Sequence, residues 1–272
     1  MKISVITVVR NEGEMIARTL ESVQSQTYPG VEHIVVDGMS DDETPVVIDS
    51  FRERLSGVIR EPDSGIYDAM NKGLRAARGD LIHFLNAGDV FLSEHTLSSV
   101  AWKAEMRDED IFYGDICYGS ASRAFSLRRH PACPGRMYLL RRNISHQALF
   151  CTRRAYDRTG GFDLNLRIYA DYDWLLRALR CAGLTSFHLR LPVCICRDPG
   201  LSGAASALRA RESIVVRLRH FTRMELAGYC VAKWLASALC RGRRRSPGTD
   251  AERASYAQAL QALLSGREVL SE

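Results

Sequence analysis

Residues 3–9, ISVITVV, form an unbroken apolar and β-branched run, the pattern of a strand buried on both faces. Asn11 stands where it can cap a helix, and Ile16, Leu20 and Val23 recur at helical spacing through residues 14–26. HIVVD at 33–37 supplies a second strand. Strand, helix and strand joined by short connections make a βαβ unit, whose strands run parallel with a right-handed crossover. The N-terminal part of the chain is therefore committed to an α/β architecture.

The alternation continues with a helix over 44–53, a short strand over 56–60, a helix over 66–77, a strand over 80–86, a helix over 97–107 and a strand over 111–118. It then stops. Residues 120–142 are rich in arginine and interrupted by Pro131, Pro134 and Gly135. Beyond them the pattern gives a strand over 149–152, a helix over 153–158, a helix over 171–182 carrying Trp174, Leu175 and Leu179, and a strand over 184–196. The loop RDPGLSG at 197–203 closes the globular part, and from Arg209 onward the pattern is helical. Residues 225–240 hold only Glu225 and Lys233 as charges, yet fall short of the roughly 20 apolar residues that span a bilayer. RGRRR follows at 241–245.

With 272 residues, 46% of them hydrophobic, the chain has material for a sizeable core, which excludes a disordered or fibrous class. The net charge of +5 is gathered in arginine clusters, without a zinc finger or a basic stripe interleaved with aromatics, so no nucleic-acid partner is expected. Phosphorylated ligands or an anionic membrane surface account for such a distribution equally well. Eight cysteines lack metal-site spacing, and Cys194 and Cys196 are expected to be buried free thiols on one strand face. The first residues already read as a strand rather than a secretory signal, and a cytoplasmic location is expected.

Five segments can carry chemistry. Asp37 ends a strand, where ligands of open parallel sheets bind and where a short carboxylate can accept from ribose hydroxyls or a base N–H. Neither a dinucleotide fingerprint nor a phosphate-binding P-loop follows the first strand, so a nucleotide must be held by another device. The helix in EPDSGIYDAMNKG sets Asp68, Asn71 and Lys72 three or four residues apart, where Asp68 can reach a base or ribose and Lys72 a diphosphate. Surface ion pairing is the competing explanation for that helix. Asn86, Ala87, Gly88 and Asp89 end an apolar strand, and Asp89 can hold Mn2+ or Mg2+, whose hard charge suits carboxylate and diphosphate oxygens together; a simple turn is the alternative. Asp171 and Asp173 open a helix, as a general base or as helix-start acids. His146 and Gln147, just before an apolar run, can orient a diphosphate or an acceptor oxygen.

Taken together, SVITVVRNEGEMIARTLESVQSQTYPGVEHIVVDGMSDDET, DSGIYDAMNKGLRAARGDLIHFLNAGD, HQALF at 146–150 and the pair Ala170 and Asp171 resemble the family 2 glycosyltransferases, in the family's order and over about residues 1–203. The second segment is similar to the subgroup of bacterial exopolysaccharide, O-antigen and colanic-acid clusters. The resemblance implies a GT-A fold, a Rossmann-like mostly parallel sheet flanked by helices, as a catalytic domain over 1–203, with a helical extension over 204–272. It implies that Asp37 contacts the base, that Thr7 and Val9 line its pocket with Asn11 nearby, and that Asp68 is a second nucleotide-contacting acid. It further implies that Asp89, with Ala87 and Gly88, forms the metal element, that Asp171 is the base with Asp173 as the other candidate, and that Ser202, in the loop 200–203, folds over the donor diphosphate. The implied reaction is an inverting transfer from a nucleotide-sugar donor, a UDP-sugar foremost, to a glycan or polyprenyl-diphosphate-linked acceptor. The implied setting is peripheral, on the cytoplasmic face of the inner membrane, with a homodimer left open. A non-catalytic nucleotide-sugar or protein-binding module and a nucleotidyltransferase are the competing classes.

Overall fold

The computed structural model describes residues 1–120, 123–197, 206–229 and 231. The chain divides into two compact units, one of Met1–Pro134 with Ile144–Asp198 and one of Gly135–Asn143 with Pro199–Glu272. The first contains strands β1 (Ile3–Val9), β2 (Val31–Asp37), β3 (Gly57–Arg60), β4 (Leu81–Phe84), β5 (Val90–Phe91), β6 (Ile111–Ser120), β7 (Arg123–Arg128), β8 (Leu149–Thr152) and β9 (Ser186–Cys196). Its helices are α1 (Gly13–Gln24), α2 (Thr44–Ser50), α3 (Ile66–Ala76), α4 (Thr96–Glu105), α6 (Arg153–Thr159) and α7 (Ala170–Leu176). Helices α5 (Arg136–Arg141) and α8 (Ser206–His220) belong to the second unit.

The strands form one sheet in the order β3-β2-β1-β4-β8-β6-β9-β5, with β7 paired to β6. β1 is buried along its whole length between β2 and β4, as its unalternating sequence requires. Ile16 and Leu20 of α1 pack with Val9, Val35 and Ile48 into a core beneath this half of the sheet. The α/β architecture matches expectation, with parallel pairing through β3-β2-β1-β4 and again between β6 and β9. β8 runs antiparallel to both β4 and β6, and β5 antiparallel to β9, so the full sheet is mixed. His83 sits at the seam, stacked 4.1 Å from Phe150 and 5.3 Å from Phe91, with Nδ1 at 2.8 Å from the Leu149 carbonyl.

Several local expectations change. Asn11 is not the cap of α1: it adopts φ 54°, and its side-chain oxygen accepts from the Asp41 amide at 3.0 Å. The start of α1 is satisfied from the 40–44 loop instead, where Thr44 Oγ1 accepts from Glu12 N and Asp42 Oδ2 from Gly13 N. The helix expected over 171–182 is α7 followed by a π-helical turn, Arg177–Cys181. β5, β7 and α5 lie in segments where no regular element was expected. Of the cysteines, Cys151, Cys194 and Cys196 are buried free thiols, whereas Cys133 and Cys181 are exposed.

In the second unit, Arg217 is buried and donates to the Leu140 carbonyl at 2.8 Å, fastening α8 to α5. Arg136 grips Glu225 through two bonds of 2.6 and 2.7 Å. Thr222 and Glu225 form a reciprocal capping box, and Arg136 foremost, with the Thr222 amide and hydroxyl, holds the Glu225 carboxyl down to about 2. Among the described residues, no helix is long and apolar enough to cross a membrane. The RGRRR cluster and most of 225–240 lie outside the described residues.

Candidate active site

Asp37 ends β2 beside Arg60 at the end of β3, the two facing each other in register. The fully buried Asp37 carboxylate accepts from Ser40 N at 3.0 Å and Ser40 Oγ at 2.5 Å through one oxygen, and from Arg60 Nε at 3.1 Å through the other. Arg60 also donates to the Ser40 carbonyl, and its side chain is 48% exposed, so it is the accessible group of the pair. Gly38 admits Asp63 against the strand end, since a Cβ there would lie 2.0 Å from Asp63 Oδ2. Neither Arg60 nor Asp63 was singled out from the sequence. The usable signal was Arg60 as the last residue of a strand expected to lie beside Asp37.

Other expected donor-side residues face the scaffold. The Thr7 hydroxyl is hydrogen bonded to His33 Nε2 at 3.0 Å, and Val9 packs in the core under α1. Asn71 clamps the backbone of Phe162, donating to its carbonyl at 2.9 Å and accepting from its amide at 2.8 Å. Lys72 donates to the Pro62 carbonyl and pairs with Glu61 at 3.2 Å and Asp68 at 3.7 Å. Asp68 accepts from the Ser64 amide, which holds its carboxyl below the usual range, with Lys72 adding to the effect. The surface ion pairing weighed against ligand contact is thus present on α3.

The β1–β4 ladder continues past Phe84 through Leu85 N to Ile6 O and Ala87 N to Val8 O, which delivers the next turn to the carboxyl edge of the sheet. Gly88 takes φ 92° there, and its amide donates to Thr19 Oγ1, which in turn donates to the Asp89 carbonyl. Asp89 is buried, with Oδ2 accepting from Gln147 Nε2 at 3.1 Å and Oδ1 from the Arg197 amide at 3.1 Å. Burial pushes its carboxyl up to about 6. The Arg197 guanidinium pairs with Glu12 at 3.0 Å.

His146, next to Gln147, reaches both sides of this seam. Its Nε2 is 2.9 Å from Asn86 Nδ2 and its Nδ1 is 3.1 Å from Asp171 Oδ2. Asp171, at the start of α7, also accepts from the Tyr172 amide at 2.7 Å and lies 3.3 Å from the Tyr67 hydroxyl. Asp173 faces another way. It pairs with Arg177 at 2.9 Å, and Arg177 donates to the carbonyls of Thr159 and Gly161. Asp89, Gln147, His146, Asn86 and Asp171 are therefore one connected cluster, while Asp173 braces the 159–161 loop. Ser202 lies outside the described residues.

The donor chemistry at Asp89 fits a hard divalent cation that takes its other ligands from a diphosphate and water. Asp89 brings carboxylate oxygens into a buried setting that penalises their charge, which a cation offsets. Among the described residues no group of three or more His, Cys, Asp or Glu side chains forms a complete metal cage.

A mixed α/β sheet flanked by helices, with buried carboxylates at the carboxyl edge of its parallel strands, is consistent with a GT-A-like architecture. The chain belongs to glycosyl transferase family 2, whose model matches residues 4–167. It is 32% identical over 198 residues to the PGL/p-HBAD biosynthesis glycosyltransferase of Mycobacterium bovis, a match spanning 70% of this chain and 74% of that one. It is 34% identical over 193 residues to an uncharacterized glycosyltransferase of Mycobacterium tuberculosis, spanning 67% and 71%. Among solved structures, S. aureus TarS 1-349 in complex with UDP-GlcNAc superposes with a TM-score of 0.65 at 15% identity, covering 99% of this chain and 93% of that one. The mannosyltransferase PcManGT from Pyrobaculum calidifontis, in complex with GDP-Man and Mn2+, gives 0.63 at 18% identity, covering 98% and 88%.

Proposed function

We propose that this glycosyltransferase moves a sugar from a nucleotide-sugar donor, a UDP-sugar first among them, to a hydroxyl of a lipid-linked oligosaccharide or polysaccharide, with inversion at the anomeric carbon. The observation that carries the reading is the join between Asp89 and Asp171: neighbouring residues, His146 and Gln147, hold one carboxylate each. A donor-side acid and an acceptor-side acid held a few bonds apart suit a reaction that breaks a bond to diphosphate while a hydroxyl loses its proton.

In this scheme Asp171 takes the proton as the acceptor oxygen attacks the anomeric carbon and the bond to the nucleotide diphosphate breaks. One displacement turns an α-linked donor into a β-linked product. Tyr67, Tyr172 N and His146 fix the orientation of Asp171, and Gln147 and the Arg197 amide fix Asp89. A divalent ion at Asp89, Mn2+ or Mg2+, would neutralise charge on the departing diphosphate. Arg60 and Asp63 join Asp37 as the groups at the base end. Residues 1–203 act as the catalytic domain and 204–272 as an extension that meets the inner-membrane surface from the cytoplasm, in envelope or exopolysaccharide assembly. Anionic leaflets attract clustered arginines by about 1 kcal/mol each, which supports that last assignment.

The test is calorimetric titration with UDP, GDP, CDP and dTDP, each with and without Mn2+. One nucleotide should bind well above the rest, and more tightly with the metal; Asp89→Ala should remove the metal's contribution. Folded protein that binds none of the four overturns the reading.

A further inference from the structure

Asn86 belongs by sequence to the turn that ends in Asp89, yet its side chain points at the other half of the site. Its Nδ2 lies 2.9 Å from His146 Nε2, while its Oδ1 is buried with no hydrogen-bond partner. An amide NH2 has only protons to offer, so Nε2 must present its lone pair. The proton of the neutral ring then sits on Nδ1, which donates to Asp171 Oδ2 at 3.1 Å. With the amide turned over, Oδ1 would face that lone pair and the ring would have to protonate at Nε2, leaving either an imidazolium or a bare Nδ1 against the Asp171 oxygen. The orphaned Oδ1 is the cost of the orientation that keeps His146 Nδ1 donating to Asp171.

We propose that Asn86 is a positioning residue for the base: by donating to His146 it fixes the Nδ1–H tautomer and keeps Asp171 aligned for the acceptor proton. Its backbone carbonyl accepts from Asp89 N at 3.0 Å, so one residue ties the donor-side turn to the acceptor-side base. The ionisable groups around His146 are Asp171 on α7, Tyr67 of α3 through its contact with Asp171, Asp89 beyond Gln147, His83 on β4 and Cys194 on β9, which donates to the Gln147 carbonyl. This role rests on Asp171 being the base of the proposed transfer, but the tautomer does not.

Two variants of the full chain test it. Asn86→Leu keeps the volume and removes the donor; Asn86→Asp replaces the donor with an acceptor. Nitrogen-15 NMR of His146 should show the neutral Nδ1–H tautomer in the wild type, a mixture in Asn86→Leu, and protonation at Nε2 in Asn86→Asp. In transfer assays Asn86→Leu should lower kcat about 10- to 100-fold with the donor KM within about twofold. In Asn86→Asp the acidic limb of the kcat–pH profile should move to lower pH, because a cationic ring beside Asp171 weakens it as a base. An unchanged tautomer in both variants overturns the proposal. So does a uniform fall in kcat with the limb in place, which is what a merely structural residue gives. If the wild type transfers no sugar at all, the transferase reading fails while the NMR arm still decides whether Asn86 sets the ring.

Discussion

The two halves of the sheet are built differently and contribute different things to the site. β3, β2, β1 and β4 all come from the first 84 residues and pair in parallel, β2 with its sequence neighbours β1 and β3, and β4 back with β1. β8, β6, β9 and β5 pair over long separations, as in Val90 with Ile195 and Leu81 with Thr152. The first half brings the residues that resemble ligand contacts on a sequence page, and the structure turns many of them to holding the scaffold. The second half brings His146, Gln147 and Asp171, which do little for the core and converge on the seam. A residue's place on a motif therefore says less about its work than the strand it must meet.

The sharpest way to break that comparison is to set Asp171 against Asp173, two residues apart on one short helix. Asp171→Asn should cost transfer about 10³-fold, or ~4 kcal/mol of barrier, while nucleotide affinity and the unfolding midpoint stay close to wild type. Asp173→Asn should do the reverse. It breaks a part-buried ion pair whose arginine holds two loop carbonyls, those of Thr159 and Gly161, so stability falls by about 2–4 kcal/mol in urea titrations, with kcat per folded molecule largely kept. If Asp173→Asn abolishes turnover in folded protein and Asp171→Asn does not, the base has been assigned to the wrong carboxylate.

Asn71 sharpens the same contrast within the first half. Both ends of its amide are committed to the backbone of Phe162, and Phe162 packs against Tyr67 at 5.5 Å, the tyrosine that touches Asp171. Asn71→Ala should cost about 2–3 kcal/mol, the loss of two bonds to part-buried backbone groups, and leave nucleotide binding within a few-fold. A large loss of nucleotide affinity with unaltered stability would return Asn71 to the ligand-binding role that its motif suggests.

The sequence disclosed the first half well because its signals are local. A buried strand must be apolar throughout, an amphipathic helix must repeat every three or four residues, and short connections leave a βαβ unit one way to close. Asp89, His146, Gln147 and Asp171 were legible as candidates for the same reason, each standing at an element's edge. What could not be read was direction. Asp68 and Lys72 share a face, but whether that face meets a ligand or the 61–64 loop depends on contacts ten residues and more away. β5 is two residues long and exists because β9 arrives beside it. β7 is an arginine-bearing strand paired only with β6 among the described residues, and its polar sequence carries no burial signal.

The smallest expected effect concerns two buried histidines, one on each side of the comparison. His33 lies in the parallel half, and His83 at the seam where the antiparallel strands begin. Burial pushes both down to about 3, and each ring keeps one nitrogen without a hydrogen-bond partner, His33 Nδ1 and His83 Nε2, so nothing compensates a second proton. The unfolded chain takes up that proton near pH 6.5, the folded chain only near 3. Above 6.5 the two states bind equally and stability is at its full value; as pH falls from 6.5 towards 3 the unfolded state binds more, and stability declines by at most about 1.4 kcal/mol per unit for each ring. Urea midpoints at pH 7, 6 and 5 should show that slope, and His33→Gln or His83→Gln should each remove part of it. An opening that exposes His83 lets the ring take up a proton at pH 5 and so favours the open state of the seam; amide exchange at pH 5 should therefore rise first in β8 and β5 rather than in β1 and β2. Equal loss of protection in both halves would mean that the sheet opens as one unit, and that the boundary between its two modes of construction has no energetic counterpart.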